Sequence, residues 1–170
     1  MPKAARVYVR YVEALNRRIG RLAMYLVFAM MGILLFSSIT RTAFNMSHIW
    51  IVEMAQFTMV AYYLLGGGYS MQLDSHVRMD LLYSRWSARK KAIADTITIF
   101  FLLFYVVFLL YGGISSTHYS LEYGQKNYTA WAPYLAPIKI IMVIGIVLML
   151  LQIVATFFRN LAEARGEPLP

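Results

Sequence analysis

Four long apolar segments alternate with polar stretches along the chain, and this alternation predicts a bundle of membrane-spanning helices. The segments are residues 22–40, 49–73, 93–114 and 135–158, each at least 18 residues long. A helix of that length crosses a hydrocarbon core of about 30 Å. The expected fold class is therefore all-α: an integral membrane protein with four transmembrane helices in one domain, residues 1–170.

The stretch before the first apolar segment has two faces, which predicts an amphipathic helix over residues 4–20. One face carries apolar side chains at helical spacing: Tyr8, Tyr11, Val12, Leu15 and Ile19. The other face is largely basic: Arg6, Arg10, Glu13 and Arg17. We expect this segment to lie as an arm in the headgroup layer of the membrane. The alternative is a plain extension of the first transmembrane helix into the cytoplasm.

The basic residues cluster on one side of the predicted membrane, and this predicts the topology. Thirteen of the sixteen Lys and Arg residues lie at the start, between the second and third spans, or in the tail: Lys3, Arg6, Arg10, Arg17, Arg18, Arg21, Arg78, Arg85, Arg89, Lys90, Lys91, Arg159 and Arg165. The other three are Arg41, Lys126 and Lys139. Since cytoplasmic segments carry the excess of positive charge, both termini are predicted to face the cytoplasm.

Composition and charge agree with a membrane location and exclude several functions. Hydrophobic residues make up 60% of the chain, and the mean hydropathy is +0.57. The formal net charge of +8 would also suit a nucleic-acid-binding protein. The basic residues flank membrane segments, however, so we expect contact with anionic lipid and no nucleic-acid partner. The chain has no cysteine, which excludes disulfides, thiolate metal sites and Cys-x-x-Cys redox chemistry.

Ionisable residues are scarce within the predicted spans. An ionised group at mid-membrane costs about 2.5–3.5 kcal/mol, so it persists where a function uses it. Glu53 lies near the outer end of the second span and Asp95 near the inner end of the third, where Lys91 is its i,i+4 neighbour. Glu53 is either stabilised by the helix N-terminus or paired with a cation on a neighbouring helix or subunit. We expect this chain alone to move no charged solute.

The histidines do not follow the pattern of a cofactor site. His48 and His76 fall in predicted loops and His118 at the outer end of the third span, so they lie on opposite membrane faces. A haem-anchoring bundle needs paired histidines that face each other. Ser, His and acidic residues are also not gathered for nucleophilic catalysis. We expect no enzymatic activity, no cofactor and no metal site.

Seven short motifs occur in a fixed order: Trp50-x-x-Glu53, Leu65-Gly66-x-x-Tyr69, His76-Val77-Arg78-Met79-Asp80, Ala130-Trp131-x-Pro133, Pro137-Ile138-Lys139, Gly145 and Leu150-Leu151-Gln152. In this order and spacing, they resemble the small membrane subunit (Q subunit) of the tripartite ATP-independent periplasmic (TRAP) transporters. The resemblance covers about residues 19–159. The region from Trp131 to Lys139 is similar to members described for mannitol or chloroaromatic compounds. Met54 departs from the pattern, since many members carry a second acidic residue there.

The resemblance implies an accessory role in transport. In this family the small subunit has no known transport site of its own and extends the stationary scaffold of a large multi-pass permease subunit. The large subunit carries substrate and sodium by an elevator-like movement, and a soluble periplasmic binding protein delivers the substrate, typically an organic acid. The chain is thus expected in a bacterial inner membrane, with these two proteins and membrane lipids as partners.

Three groups of candidate residues follow from the resemblance taken together with the residue pattern. Helix or subunit contacts are expected at Trp50, Glu53, Gly66, Gly67 and Gly68, because small residues let helix backbones approach closely. Cytoplasmic-loop and lipid contacts are expected at His76, Arg78, Asp80, Arg10, Arg17 and Arg18. Docking of the binding protein is expected in the outer loop, residues 119–134, at Glu122, Lys126 and Trp131. The simpler alternatives are a solvated loop with topogenic charge and aromatic residues placed at the membrane boundary.

Two other functions would fit a small four-pass protein. One is an autonomous transporter or channel that works as a homo-oligomer. Small multidrug exporters of that kind use a Glu in the first helix, whereas the first span here has no acidic residue. The other is a membrane anchor for a respiratory enzyme, which the placement of the histidines disfavours.

Overall fold

The computed structural model describes residues 3–73 and 88–164. Four helices form this part of the chain: α1 (Lys3–Phe44), α2 (Ile51–Gln72), α3 (Ala88–Glu122) and α4 (Ala136–Ala164). The extended structure found there is one isolated bridge between Lys126 and Tyr134. The prediction of an all-α protein is confirmed. The predicted loop residues His76, Arg78 and Asp80 lie outside the described residues.

Three of these helices, α1, α3 and α4, are long and apolar enough to cross a membrane. The remaining helix, α2, has 22 residues and is therefore about 33 Å long. Its sequence is more polar, because it contains Glu53, Gln56, three tyrosines and three glycines.

The helices pack with α4 at the centre. α4 contacts α3 on one side and α2 on the other, and α1 packs mainly along α2. The first part of α1 also reaches α4. Ile99 and Val106 of α3 pack against Ile146 and Ile153 of α4 to form one apolar cluster. α3 is thus held to the bundle chiefly through α4.

The predicted arm and the predicted first span form one uninterrupted helix, α1, with no break near residue 21. Val9 and Val12 are buried against Ala155 of α4. By contrast, Tyr11 is 73% exposed and Leu15 is 43% exposed, although both belong to the predicted apolar face. The buried face of this segment consists mostly of small side chains: Ala5, Val9, Val12, Asn16, Gly20 and Ala23.

The ends of α1 and α3 are set by left-handed residues. α1 ends before Asn45, whose φ is 49°, and Asn tolerates this conformation. α3 continues eight residues beyond the predicted end at Ile114 and stops before Gly124, whose φ is 55°. Within that extension Thr117 Oγ1 donates to Gly113 O at 2.7 Å, so its hydroxyl is satisfied inside the helix. The predicted outer loop therefore begins at residue 123 and not at 119.

Candidate subunit-contact sites

Glycines allow the closest approaches inside the bundle. A Cβ atom on Gly20 would overlap the side chain of Tyr69, where α1 crosses α2. A Cβ on Gly145 would lie 2.7 Å from Leu64 O, where α4 crosses α2. These distances are too short for a real Cβ atom, so glycine is required at both crossings.

The three consecutive glycines of α2 divide between two environments. Gly68 is buried, and a Cβ there would lie 2.6 Å from Asn16 Oδ1, so Gly68 serves packing within the chain. Gly66 and Gly67 have open space where their Cβ atoms would be. The predicted contact at residues 66–68 is therefore internal at Gly68, whereas at Gly66 and Gly67 no described residue of this chain occupies the space.

The open side of α2 also carries polar side chains. Gln56 and Tyr63 are exposed and stand seven residues apart, and Gly67 follows four residues later on the same face. An amide, a phenol and a glycine surface thus line one side of the helix. We call this side the α2 stripe, and it consists of Gln56, Tyr63, Gly66 and Gly67.

Trp50 packs against α1 at the start of α2. The ring of Trp50 stacks on Phe36 of α1 at 6.4 Å between centroids, and the ring of His48 stacks on the same Phe36 at 5.8 Å. Trp50 therefore fixes the start of α2 against the C-terminal part of α1.

Glu53 follows Trp50 by three residues and is buried. It stands eleven residues, or about three turns, before Leu64, which contacts α4 at Gly145. The Glu53 side chain is 4% exposed, and its Oε2 atom has no hydrogen-bond partner within the described part of the chain. Both interpretations of Glu53, stabilisation by the helix N-terminus and pairing with a cation on a neighbouring helix or subunit, stay open. Glu53 lies in the first turn of α2, and the described residues supply no hydrogen-bond partner for its Oε2 atom.

The outer loop between α3 and α4 folds back on itself. Asn127 N donates to Pro133 O at 2.9 Å, and Leu135 N donates to Gln125 O at 3.0 Å. Lys139 of α4 closes the base of this loop: its Nζ donates to Gln125 Oε1 at 2.8 Å and to Ser116 O at 3.2 Å. The sequence places Lys139 among the outer-face cations but does not reveal this bond to the loop, because its acceptors are 14 and 23 residues away.

The predicted docking residues lie along this loop and at its edge. Lys126 Nζ sits 4.8 Å from the centre of the Tyr134 ring, a cation–π contact. Glu122 lies at the end of α3, where its carboxylate is 3.5 Å from His118 Nδ1. Trp131 is 38% exposed, whereas Tyr128, which was not among the candidates, is 98% exposed at the loop tip.

The predicted lipid-contact residues of α1 form an exposed basic face. Arg10, Arg17 and Arg18 are all exposed. The adjacent strip of the helix is exposed and apolar, with Val7 and Tyr11 four residues apart. A basic strip beside an apolar strip is the arrangement that suits the membrane surface.

Within the same first part of α1, Glu13 holds the helix to α4. Its carboxylate is 3.7 Å from Arg159 Nη1, and both side chains are largely buried. Tyr8 adds a second bond, since its hydroxyl donates to Leu151 O at 3.2 Å.

In the described residues, no group of three His, Cys, Asp or Glu side chains is placed to hold a metal ion.

Comparison with known proteins identifies the family. No curated protein matches the chain. The family model for the DctQ component of tripartite ATP-independent periplasmic transporters matches residues 30–163, which is most of the chain. The match confirms the resemblance drawn from the motifs, and the family is one of transporter components and not of enzymes. The chain therefore belongs to the DctQ family, as a small membrane component of a TRAP transporter.

Proposed function

We propose that this chain scaffolds the large permease subunit of its transporter and helps to dock the periplasmic binding protein. In this proposal all four helices, α2 included, cross the bacterial inner membrane, and both termini are cytoplasmic. The complex takes up an organic acid or similar solute, driven by sodium, and the sodium and solute sites lie in the large subunit. The chain itself performs no catalysis and carries no cofactor.

The observation that best supports a scaffold is how little of the apolar helix surface this chain covers by itself. In the three most apolar helices, the share of residues that is buried within the most apolar stretch is 6% in α1, 17% in α3 and 39% in α4. A transporter that works as a single copy has to enclose a solute path between its own helices. A bundle this open is instead suited to lie against lipid and a larger membrane partner.

The α2 stripe is the proposed contact with the large subunit. Gly66 and Gly67 leave room for the backbone of a second helix, and close backbone approach is a main source of helix association in lipid. Gln56 and Tyr63 would add hydrogen bonds across that contact. An exposed amide in contact with lipid chains would have no partner, so a protein neighbour accounts better for Gln56.

The outer loop is the proposed docking surface for the binding protein. It is held in shape by Lys139, and it presents Lys126, Trp131 and the fully exposed Tyr128. At the other end, Arg10, Arg17 and Arg18 are proposed to contact anionic lipid headgroups, as are the predicted loop residues 76–80.

Co-purification tests the scaffold role. The chain carries the affinity tag and is co-expressed with the large subunit, either unchanged or as Gly67→Leu. Gly32→Leu is the matched control, because Gly32 is also open but lies on α1. We expect Gly67→Leu to recover several-fold less large subunit than Gly32→Leu. Equal recovery would exclude the α2 stripe as the contact, and no recovery with the unchanged chain would exclude the scaffold role itself.

A further inference from the structure

Three helices meet at a buried polar junction toward the end of the bundle where α2 ends. Asn16 of α1 and Gln152 of α4 are fully buried, and Asn16 Nδ2 donates to Gln152 Oε1 at 2.8 Å. The same Nδ2 also lies 3.4 Å from Leu148 O. Thr156, one turn beyond Gln152, is buried on the same face of α4.

The register of α2 brings a fourth polar side chain, Gln72, to the same level. The Cβ position of Gly68 faces both Asn16 Oδ1 and Leu148 O. Gln72 stands four residues after Gly68, and Gln152 stands four residues after Leu148. Because α2 and α4 run in the same direction, both amides lie one turn, about 6 Å, beyond this contact.

Each of these four side chains has one buried atom without a hydrogen-bond partner within the described part of the chain. Two of the atoms are acceptors, Asn16 Oδ1 and Gln72 Oε1. One is an amide donor, Gln152 Nε2, and one is a hydroxyl, Thr156 Oγ1. Buried polar atoms in folded proteins are almost always paired. The side chains of Asn16, Gln72 and Gln152 lie within about one turn of one another along the bundle, so their three atoms indicate a common ligand, whereas Thr156 lies a further turn away.

We propose that a single water molecule binds at this junction and joins α1, α2 and α4. It donates its two protons to Asn16 Oδ1 and Gln72 Oε1, and it accepts a hydrogen bond from Gln152 Nε2. This set of two acceptors and one donor is what a buried water needs. A sodium ion fits less well, because the Gln152 amide presents protons and no carboxylate is among the four groups.

The bridging water completes the attachment of the first part of α1. The hydrogen bond from Asn16 joins α1 to α4, and within the described residues the Oε1 atom of Gln72 has no direct partner. A water held by all three helices connects α2 to this attachment. The inference concerns the chain's own fold and does not depend on which protein it binds.

A structure at a resolution that shows ordered water tests the site directly. The chain is purified in lipid, once in sodium and once in choline. We expect one density peak at about 2.6–3.2 Å from Asn16 Oδ1 and Gln72 Oε1 in both. Direct bonding between Gln72 and Gln152 with no peak would overturn the proposal. A peak present in sodium alone would overturn it in favour of a cation.

A double-mutant cycle supplies an independent test. Gln72→Met and Gln152→Met are compared singly and together by thermal unfolding of the purified chain. Because one ligand joins the two groups, we expect the double variant to lose at least about 2 °C less than the sum of the singles. The control pair is Gln72→Met with Ser120→Ala at the far end of α3, where we expect additivity. Additive losses for the first pair would contradict a shared ligand.

Discussion

The side chain of Tyr69 lies directly against the backbone of Gly20, in the space that a Cβ atom would occupy. This contact sets how closely α1 and α2 cross. The contact atoms include Tyr69 Cβ and Cγ, which are fixed by the helix and cannot turn away as the end of a long side chain can. Glycine at this position is therefore a requirement of the fold.

Gly20→Ala is expected to destabilise the chain. Overpacking typically costs about 1–3 kcal/mol, which exceeds the gain of about 1 kcal/mol in helix propensity. We expect thermal unfolding of the purified chain to fall by a few degrees. Gly32→Ala is the control in the same helix, since nothing lies within 4 Å of its Cβ position, and its midpoint should hold or rise slightly. Equal midpoints for the two variants would show that the Tyr69 contact does not set the crossing.

Lys139→Met is expected to loosen the outer loop. The substitution keeps the apolar length of the side chain and removes the bonds to Gln125 and Ser116. Hydrogen bonds from a charged group contribute about 1.5–3 kcal/mol, so tryptic cleavage after Lys126 should become about tenfold faster. Lys139→Arg, which keeps the charge and donors, should restore protection. An unchanged cleavage rate in Lys139→Met would mean that the loop is held by other contacts.

Lys126→Glu is expected to reduce uptake without disturbing membrane assembly. Lys126 is exposed and lies over Tyr134, so the reversal changes the charge of the loop surface and leaves the helices untouched. Surface charges act mainly on the rate of association, so the several-fold loss should shrink at high salt. Lys126→Gln should have a smaller effect. Wild-type transport by Lys126→Glu at low salt would count against docking at this loop.

Glu53→Lys is expected to weaken co-purification of the large subunit. Glu53 is buried in the first turn of α2, so a lysine there puts a longer, oppositely charged side chain into a packed position. Burying an ion that lacks a partner costs several kcal/mol, so the lysine should disturb the start of α2. Glu53→Gln keeps the shape and should retain the partner. If pull-down and uptake are unchanged in Glu53→Lys, Glu53 has no part in the contact.

The sequence was informative about helices and much less about which faces they bury. Lipid is as apolar as leucine, so a large apolar side chain does not mark the inside of a membrane bundle. Tyr11 and Leu15 match a helical apolar face, yet they are exposed. Asn16 and Gly20 look unfavourable for a core by composition, yet they form the contacts to α4 and α2.

Contacts between residues far apart in the sequence also could not be predicted at the candidate sites. The division of the glycines at 66–68 depends on where Asn16 of α1 lies, 52 residues before Gly68. The start of the outer loop was placed too early because Ser115, Ser116 and Thr117 resemble a loop in composition. The helix continues through them, since Thr117 Oγ1 donates to Gly113 O in the preceding turn and the left-handed residue that follows α3 is Gly124.

Uptake by reconstituted vesicles tests the central claim most directly. The chain is inserted into vesicles alone or together with the large subunit. Both preparations then receive the periplasmic binding protein with a labelled organic acid that this protein binds. Under an inward sodium gradient, we expect accumulation in the vesicles that contain both membrane subunits and none in those that contain this chain alone. Sodium-driven accumulation by this chain without the large subunit would contradict the account.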